Sequence, residues 1–323
     1  MFNKVKLLSW LLMGLCFYGI VQSQGFPLKP ITLVVPFPPG GSTDQMARAL
    51  APKLQESLGQ SIVIENKAGA TGTIGSAFVK RSVADGYTLL VTSLGPLVIV
   101  PHLLSSIPYN PVTDFEYLTV GVQSPNVLIV SANSPYKTLS ELISAQKAHP
   151  GKLSFGSSGS GSSDHLATEI FWQQTFTTGI HVPYKGGGPA ISDAVSGQLD
   201  ALFANINSVI HLINAGKLRP LALAANKRSP VIPNIQTFDE LGYKDIVSYG
   251  WQAVLAPKGI PPQVKAKLSK ALLSALEDPI IKKKFLDEGY EIVANTPEQF
   301  VDFQAQESRK WRNLIELRHI TAN

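Results

Sequence analysis

The chain has 323 residues, a formal charge of +5 and a single cysteine, Cys16. That excludes disulfides and cysteine nucleophiles outside the first segment, and a core held by burial alone is within reach of this length. The mild positive balance is far short of a nucleic-acid footprint but suits an anionic ligand.

The first residues have the pattern of a secretory signal. Lys4 and Lys6 precede a nearly unbroken apolar run from Leu7 to Val21, and Val21-Gln22-Ser23 places small residues at the −3 and −1 positions. Cleavage after Ser23 is expected, with export to the periplasm. The run is shorter than the ~20 residues a spanning helix needs. Leu15 before Cys16 is too large for a lipoprotein signal. Without Lys4 and Lys6 the formal charge falls to +3.

Strand and helix signals then alternate. Ile31 to Val35 is a buried strand stopped by Pro36. Met46, Leu50, Leu54 and Leu58 make one stripe of a helix ended by Gly59. Ser61–Glu65 is a second strand, 73–84 a helix, Asp85-Gly86 a turn and Tyr87–Thr92 a third strand. This βαβαβ order marks a parallel sheet wrapped by helices.

Tyr117–Val122 and Asn126–Ser131 are expected as two strands interrupted by Gln123-Ser124-Pro125. A second α/β unit follows: helix Leu139–Ala148, strand Leu153–Phe155, helix Ser163–Gln174, strand His181–Pro183, helix Pro189–Ser196, strand Ala201–Ala204, helix Ser208–Ala215 and strand Arg219–Ala225. Trp251–Ala256 is a late strand. Helices follow near Pro262–Leu276, Pro279–Glu288 and Pro297–Ile315, each opening on a first-turn proline. Two lobes are expected, one from 24–124 plus 226–323 and the other from 125–225, with a cleft between them.

Ligands of open α/β sheets bind beyond the C-terminal ends of strands. The loops expected there are rich in Gly, Ser and Thr. The first holds Phe37, Gly40, Gly41, Ser42, Thr43 and Asp44 ahead of a helix whose N-terminus favours an anion. Ser42 and Thr43 have two readings, helix cap or ligand contact. Asp44 repels an acidic ligand unless it is paired, and support of the loop is its simpler role. The second holds Ser157, Ser158, Gly159, Ser162 and Ser163, again before a helix, with His165 one turn from Glu169. The third offers Lys185 and Gly186. Ser93 and Asn205 mark two further loops.

Catalytic patterns fail on inspection. There is no Walker loop, no GxGxxG, no GxSxG elbow and no HExxH. No catalytic residue, metal ligand or cofactor is assigned.

In this order the segments carry a resemblance. They are Lys29 to Asp44 (KPITLVVPFPPGGSTD), Glu65 to Gly72 (ENKAGATG), Asp85 to Leu90 (DGYTLL), Pro150 to Gly159 (PGKLSFGSSG), Val182 to Gly186 (VPYKG), Ala215 to Ala222 (AGKLRPLA) and Leu255 to Pro257 (LAP). The chain resembles the periplasmic solute-binding receptors of tripartite tricarboxylate transporters, the Bug family. The resemblance implies a two-lobed, type II-like Venus-flytrap fold, no enzymatic activity, and a monomer that delivers its ligand to membrane permease subunits. Ligands of such receptors are di- and tricarboxylates, acidic amino acids and aromatic acids. It also implies a carboxylate held by Gly40 to Thr43 and by Ser157 to Ser163. Ser93 to Val98 departs from the pattern and suggests an apolar portion of the pocket. The alternative is an exported hydrolase or isomerase on the same scaffold.

Overall fold

The computed structural model describes residues 25–321. The leader, its cleavage point and Cys16 lie outside them.

β1 (Ile31–Val35) is buried except at Thr32. α1 (Ser42–Leu58) buries Met46, Leu50, Leu54 and Leu58, the four-residue stripe of the sequence, and Gly59 closes it in the left-handed region. β2 (Ile62–Asn66), α2 (Thr73–Lys80) and β3 (Thr88–Ser93) complete the first unit, with β2 and β3 parallel to β1 on either side. α2 stops at Lys80, short of the expected 84. There the Arg81 amide bonds back to Ala77 and Phe78, and the Ser82 amide to Val79, which tightens the last turn and ends the helix.

The segment after β3 is a π turn over Gly95–Ile99 followed by α3 (Val100–Leu103). Leu94, Leu97 and Val98 are buried in the same core cluster as Trp251, Phe300 and Trp311. The apolar letters here pack the core, which the sequence read as a portion of the pocket.

One continuous strand, β4 (Phe115–Ser131), replaces the two expected ones. Gln123-Ser124-Pro125 does not break it because this is where the strand changes neighbours. The remaining elements are α4 (Leu139–Ala148), β5 (Ser154–Ser157), α5 (Ser163–Thr175), β6 (Ile180–Pro183), α6 (Gly187–Ser196), β7 (Ala201–Asn205), α7 (Ile206–Asn214), β8 (Leu218–Ala224), β9 (Tyr249–Pro257), α8 (Pro262–Glu277), α9 (Pro279–Asp287), β10 (Glu291–Ile292) and α10 (Pro297–Arg318).

Up to Pro125, β4 pairs antiparallel with β9; from Asn126 onward it pairs with β7 and β8. A proline that cannot donate to the ladder sits at the changeover. One set of strands runs β2-β1-β3-β9-β4, the other β4-β7-β5-β6, and β4 belongs to both. This is the mixed α/β, two-lobed architecture.

The chain does not leave the second set at the end of β8. The Leu223 amide bonds Gln236 O, the Phe238 amide bonds Leu223 O, and the Ser248 amide bonds Ala224 O. Phe238 packs against Phe203 and Phe171.

α10 ties the two sets together. Phe300 stacks on Tyr117 at 4.5 Å, and Glu307 accepts both the Trp251 and Trp311 indole N–H groups at 3.0 Å. At its far end Arg318 pairs with Glu169 of α5 at 3.1 Å.

Candidate functional site

The parallel strands of the two sets end in the loops that the sequence singled out, and a network of contacts joins them. Each of these loops is followed directly by a helix, whose first-turn N–H groups lack intrahelical partners.

The first loop is built around Asp44. Its carboxylate is buried (1 % exposed) and accepts from the Gly40 amide at 2.9 Å, Arg48 Nε at 2.8 Å and Asn66 Nδ2 at 3.0 Å. Asn66 also donates to Phe37 O, so the carboxylate fixes both ends of the loop. Burial pushes the carboxyl up, but the bonds from Arg48, Gly40 and Asn66 outweigh it and hold it below the usual range. Asp44 is therefore spent inside the loop. Gly40 is the residue that needs glycine's freedom, at φ 86°. Gly41 is at φ −73° and open to side chains. Thr43 is buried. Ser42 does not cap α1; its hydroxyl accepts from Asn207 Nδ2 at 2.9 Å and lies 3.4 Å from Ser208 Oγ.

The second loop is built around Asp164, also buried. It accepts from the Ser158 amide at 2.6 Å and from Ser158 Oγ at 2.9 Å. Burial outweighs these bonds and pushes its carboxyl up. Ser162 caps α5 and donates to Gly159 O at 2.6 Å. Ser157 Oγ lies 2.6 Å from His181 Nε2 and accepts from the Gly159 amide at 3.2 Å. His165 Nδ1 accepts the Gly161 amide at 3.1 Å, which requires that nitrogen to be unprotonated. The two imidazoles stack at 3.9 Å. Burial, together with the neighbouring ring, lowers His165 to about 3, and burial lowers His181 to about 4. The hydroxyls of Ser158 and Ser162 are thus committed within the loop and that of Ser157 to His181 of β6, which shifts the donor role toward backbone N–H groups. Ser163 is held through its carbonyl by Ser248 Oγ at 3.1 Å.

The third loop leans on the second, since the Gly186 amide bonds Ser158 O at 3.0 Å. Lys185 is exposed. Asn205 lies at the crossing strands: its amide donates to Ser124 O and Asn126 Oδ1, and a side chain at Gly250 would collide with it at 2.6 Å.

Contacts run round the whole cleft. Phe37 lies against Gly72, and Gly72 against Pro96. A Cβ at Gly95 would come 3.8 Å from Gly161 O, and one at Gly161 would strike Leu103. Ser163 leads through Ser248 to Asn126 and Asn205, and Ser42 meets Asn207 and Ser208. Ser93, last in β3, pairs with Gln252, whose Oε1 is buried without a partner. The first and second loops are linked through the segments at Gly72 and Gly95.

Sequence reasoning gave no site role to Asn66, Asp164, Asn207 or Tyr290. Asp164 had a visible signal, because Ser162-Ser163-Asp164 repeats the hydroxyl-hydroxyl-acid order of Ser42-Thr43-Asp44. Thr71 had none. It is β-branched yet left-handed at φ 52°, a strained conformation that clusters at ligand sites. Open depressions of about 420 Å³ at Pro52–Ser61 and about 630 Å³ at Pro279–Glu288 lie away from all these loops. Among the described residues, no three of His, Cys, Asp or Glu gather to hold a metal, and no helix is long and apolar enough to cross a membrane.

The model of the tripartite tricarboxylate transporter family receptor matches residues 46–320. Protein BugT of Bordetella pertussis is 38 % identical over 317 residues, covering 97 % of each chain. Among solved structures, Rpa4515 of Rhodopseudomonas palustris with adipate superposes at TM-score 0.88 with 32 % identity, covering 92 % of this chain and 99 % of that one. MatC of the same organism, with bound malate, superposes at 0.83 with 30 % identity, covering 90 % of this chain and 100 % of that one.

Proposed function

Since this chain belongs to the tripartite tricarboxylate transporter receptor family of periplasmic solute-binding proteins, Bug proteins among them, we propose that it captures a small carboxylate between its lobes and hands it unchanged to membrane permease subunits. The observation that carries this reading is the inward use of both loop acids. Asp44 and Asp164 are buried and bonded to their own loops, so what remains for a ligand is neutral N–H groups and helix N-termini, which favour an anion. Proton transfer and nucleophilic attack need a titratable group facing the cleft. The two histidines that contact the second loop, His165 of α5 and His181 of β6, are buried and held neutral, which leaves Lys185 as the exposed charged side chain of these loops.

In this reading one ligand carboxylate lies between Gly40–Thr43 and Ser157–Ser163, with backbone N–H groups as the main donors. A hydrogen bond to a charged group contributes about 1.5–3 kcal/mol. Three or four of them approach the ~8 kcal/mol of a micromolar complex, before the cost of ordering the ligand. Each lobe supplies part of the clamp, so ligand favours the closed form. That Rpa4515 was solved with adipate and MatC with malate supports a small di-acid as the ligand class.

The lobes in this proposal divide near residue 124. The pairing of 236–248 with β8 favours counting 226–248 with the second lobe, so that the chain returns through β9. The mature receptor starts after Ser23, works in the periplasm and is a monomer. Calorimetry with a panel of di- and tricarboxylates and their neutral amides tests the function. Tight binding of an acid and at least tenfold weaker binding of its fully amidated form is the expected result. Equal binding of the two would sink the clamp, and turnover of the bound acid would sink the receptor reading.

A further inference from the structure

Two helices begin where the lobes meet, α1 and α7, and in neither does the N-cap residue's own side chain cap the first turn, although the Asn207 amide of α7 reaches Ser124 Oγ at 3.4 Å. α1 starts after Gly41, and α7 starts after Asn205, whose amide is turned to Ser124 O and Asn126. The Ser42 and Ser208 hydroxyls stand 3.4 Å apart, so the first turns of α1 and α7 converge. Both ends carry positive partial charge and repel one another. α7 has no acid in its first turn, and Asp44, the acid in that of α1, is committed to Gly40, Arg48 and Asn66.

Asn207 sits at this junction and is 8 % exposed. Its Nδ2 reaches Ser42 Oγ at 2.9 Å, Tyr290 OH at 2.8 Å and Ser208 Oγ at 3.4 Å, while its Oδ1 is buried and has no partner. Most buried polar atoms of native proteins are paired, and Asn207 Oδ1 is one of a few among the described residues that are not. The Ser42 and Ser208 hydroxyls can donate as readily as they accept, and Tyr290 OH can exchange its long 3.5 Å bond to Gln45 Oε1 for one to Asn207, so the amide fits either way round. Turned over, it accepts from the hydroxyls and offers an N–H on its unpaired edge. Beside two positive helix ends that orientation suits an anion.

We infer that Asn207, with the Ser42 and Ser208 hydroxyls and the first turn of α7, forms a subsite for the second carboxylate of a dicarboxylate. The inference rests on the receptor reading above, in which the first carboxylate occupies the clamp. It makes Asn207 a residue that separates di-acids from mono-acids.

The test uses the mature protein at pH 7.5 and calorimetry with malate and the straight-chain dicarboxylates from malonate to adipate. For the tightest of these, the half-amide is measured as well. Wild type should prefer the di-acid over its half-amide by at least tenfold. Asn207→Asp places a like charge at the subsite, so the di-acid should lose at least tenfold. The half-amide can donate its NH2 to the new carboxylate and should change less than threefold, so the preference disappears. A merely structural role would weaken both compounds together and leave their ratio intact. That result, or a wild type with no preference, overturns the subsite while leaving the receptor reading standing. If no acid of the panel binds wild type, the receptor reading itself fails, and the subsite with it. Asn207→Ser, checked by thermal melting, repeats the ratio measurement without added charge, and there too the preference should fall.

Discussion

The first and second loops start their helices with almost the same letters, Ser42-Thr43-Asp44 and Ser162-Ser163-Asp164, and both turn the aspartate back onto the loop's own amides. Their surroundings set them apart. Asp44 has Arg48 and Asn66 beside it and is held ionised below the usual range. Asp164 has serine donors and no paired cation, and burial pushes it up. Behind Asp164 stand two neutral, stacked histidines; the partners of Asp44 are a guanidinium and an amide. A shared local motif therefore fixes loop shape, while the neighbours brought in by the fold fix charge. One loop is an ionic latch, and the other is a desolvated one that depends on neutral imidazole.

Acid separates them most. His165 and His181 have folded pKa values depressed to about 3 and about 4 from the ordinary 6.5. The unfolded chain therefore binds more protons than the folded one in that window, so the stabilisation is present above pH 6.5 and lost as pH falls toward 4 and then 3. From pH 7.5 to 5 the loss should be about 2 kcal/mol per histidine. Asp164, raised, works in the opposite sense: its contribution is full below 3.8 and lost as pH rises, so it offsets part of the drop. Asp44, lowered, contributes above 3.8 and loses its share only as pH falls through its folded value. Urea unfolding at pH 7.5 and 5 should show the drop in wild type, and a drop smaller by about 2 kcal/mol in His165→Asn, where the Gly161 amide keeps an acceptor. An unchanged drop would remove His165 from this account.

Neutralising each aspartate should give the next largest difference. Asp44→Asn leaves one of the Gly40 and Asn66 donors without its oxygen, at a cost of about 2 kcal/mol. Asp164→Asn keeps an acceptor for the Ser158 amide and removes a charge that burial already disfavours, so stability should change by less than ~1 kcal/mol. Equal losses in chemical denaturation would erase the distinction between the two latches. Ser158→Ala is the smallest step. It removes one hydroxyl donor to Asp164 and should cost about 1 kcal/mol, with the Ser158 amide bond retained. A loss of 3 kcal/mol or more would mean that the hydroxyl, and not the amide, holds the loop.

Periodicity and turn chemistry in the sequence were enough to place the first three strands, the α1 stripe, and the loops ahead of α1, α5 and α6. These depend on neighbours within a few residues, and burial in the structure follows them closely. Proline gave a false break at Ser124-Pro125, because local propensity is blind to a strand that exchanges partners and needs no donor at that point. The glycine pair of the first loop was legible as a pair. Which of the two is left-handed, Gly40, was not, since φ is set by the Asp44 bond that pulls the Gly40 amide round.

The residues themselves thus determined the α/β alternation, the donor-rich loops and the ordered segments by which the family is recognised, all of them properties of short stretches of chain. What a side chain in those loops faces was decided by the tertiary structure. Asn66 meets Asp44 from 22 positions away, His181 stacks on His165 across a strand and a helix, and Asn207 reaches Ser42 over 165 positions. Charge state and partnership depend on distance in space, and distance along the chain carries no record of it once the chain has folded.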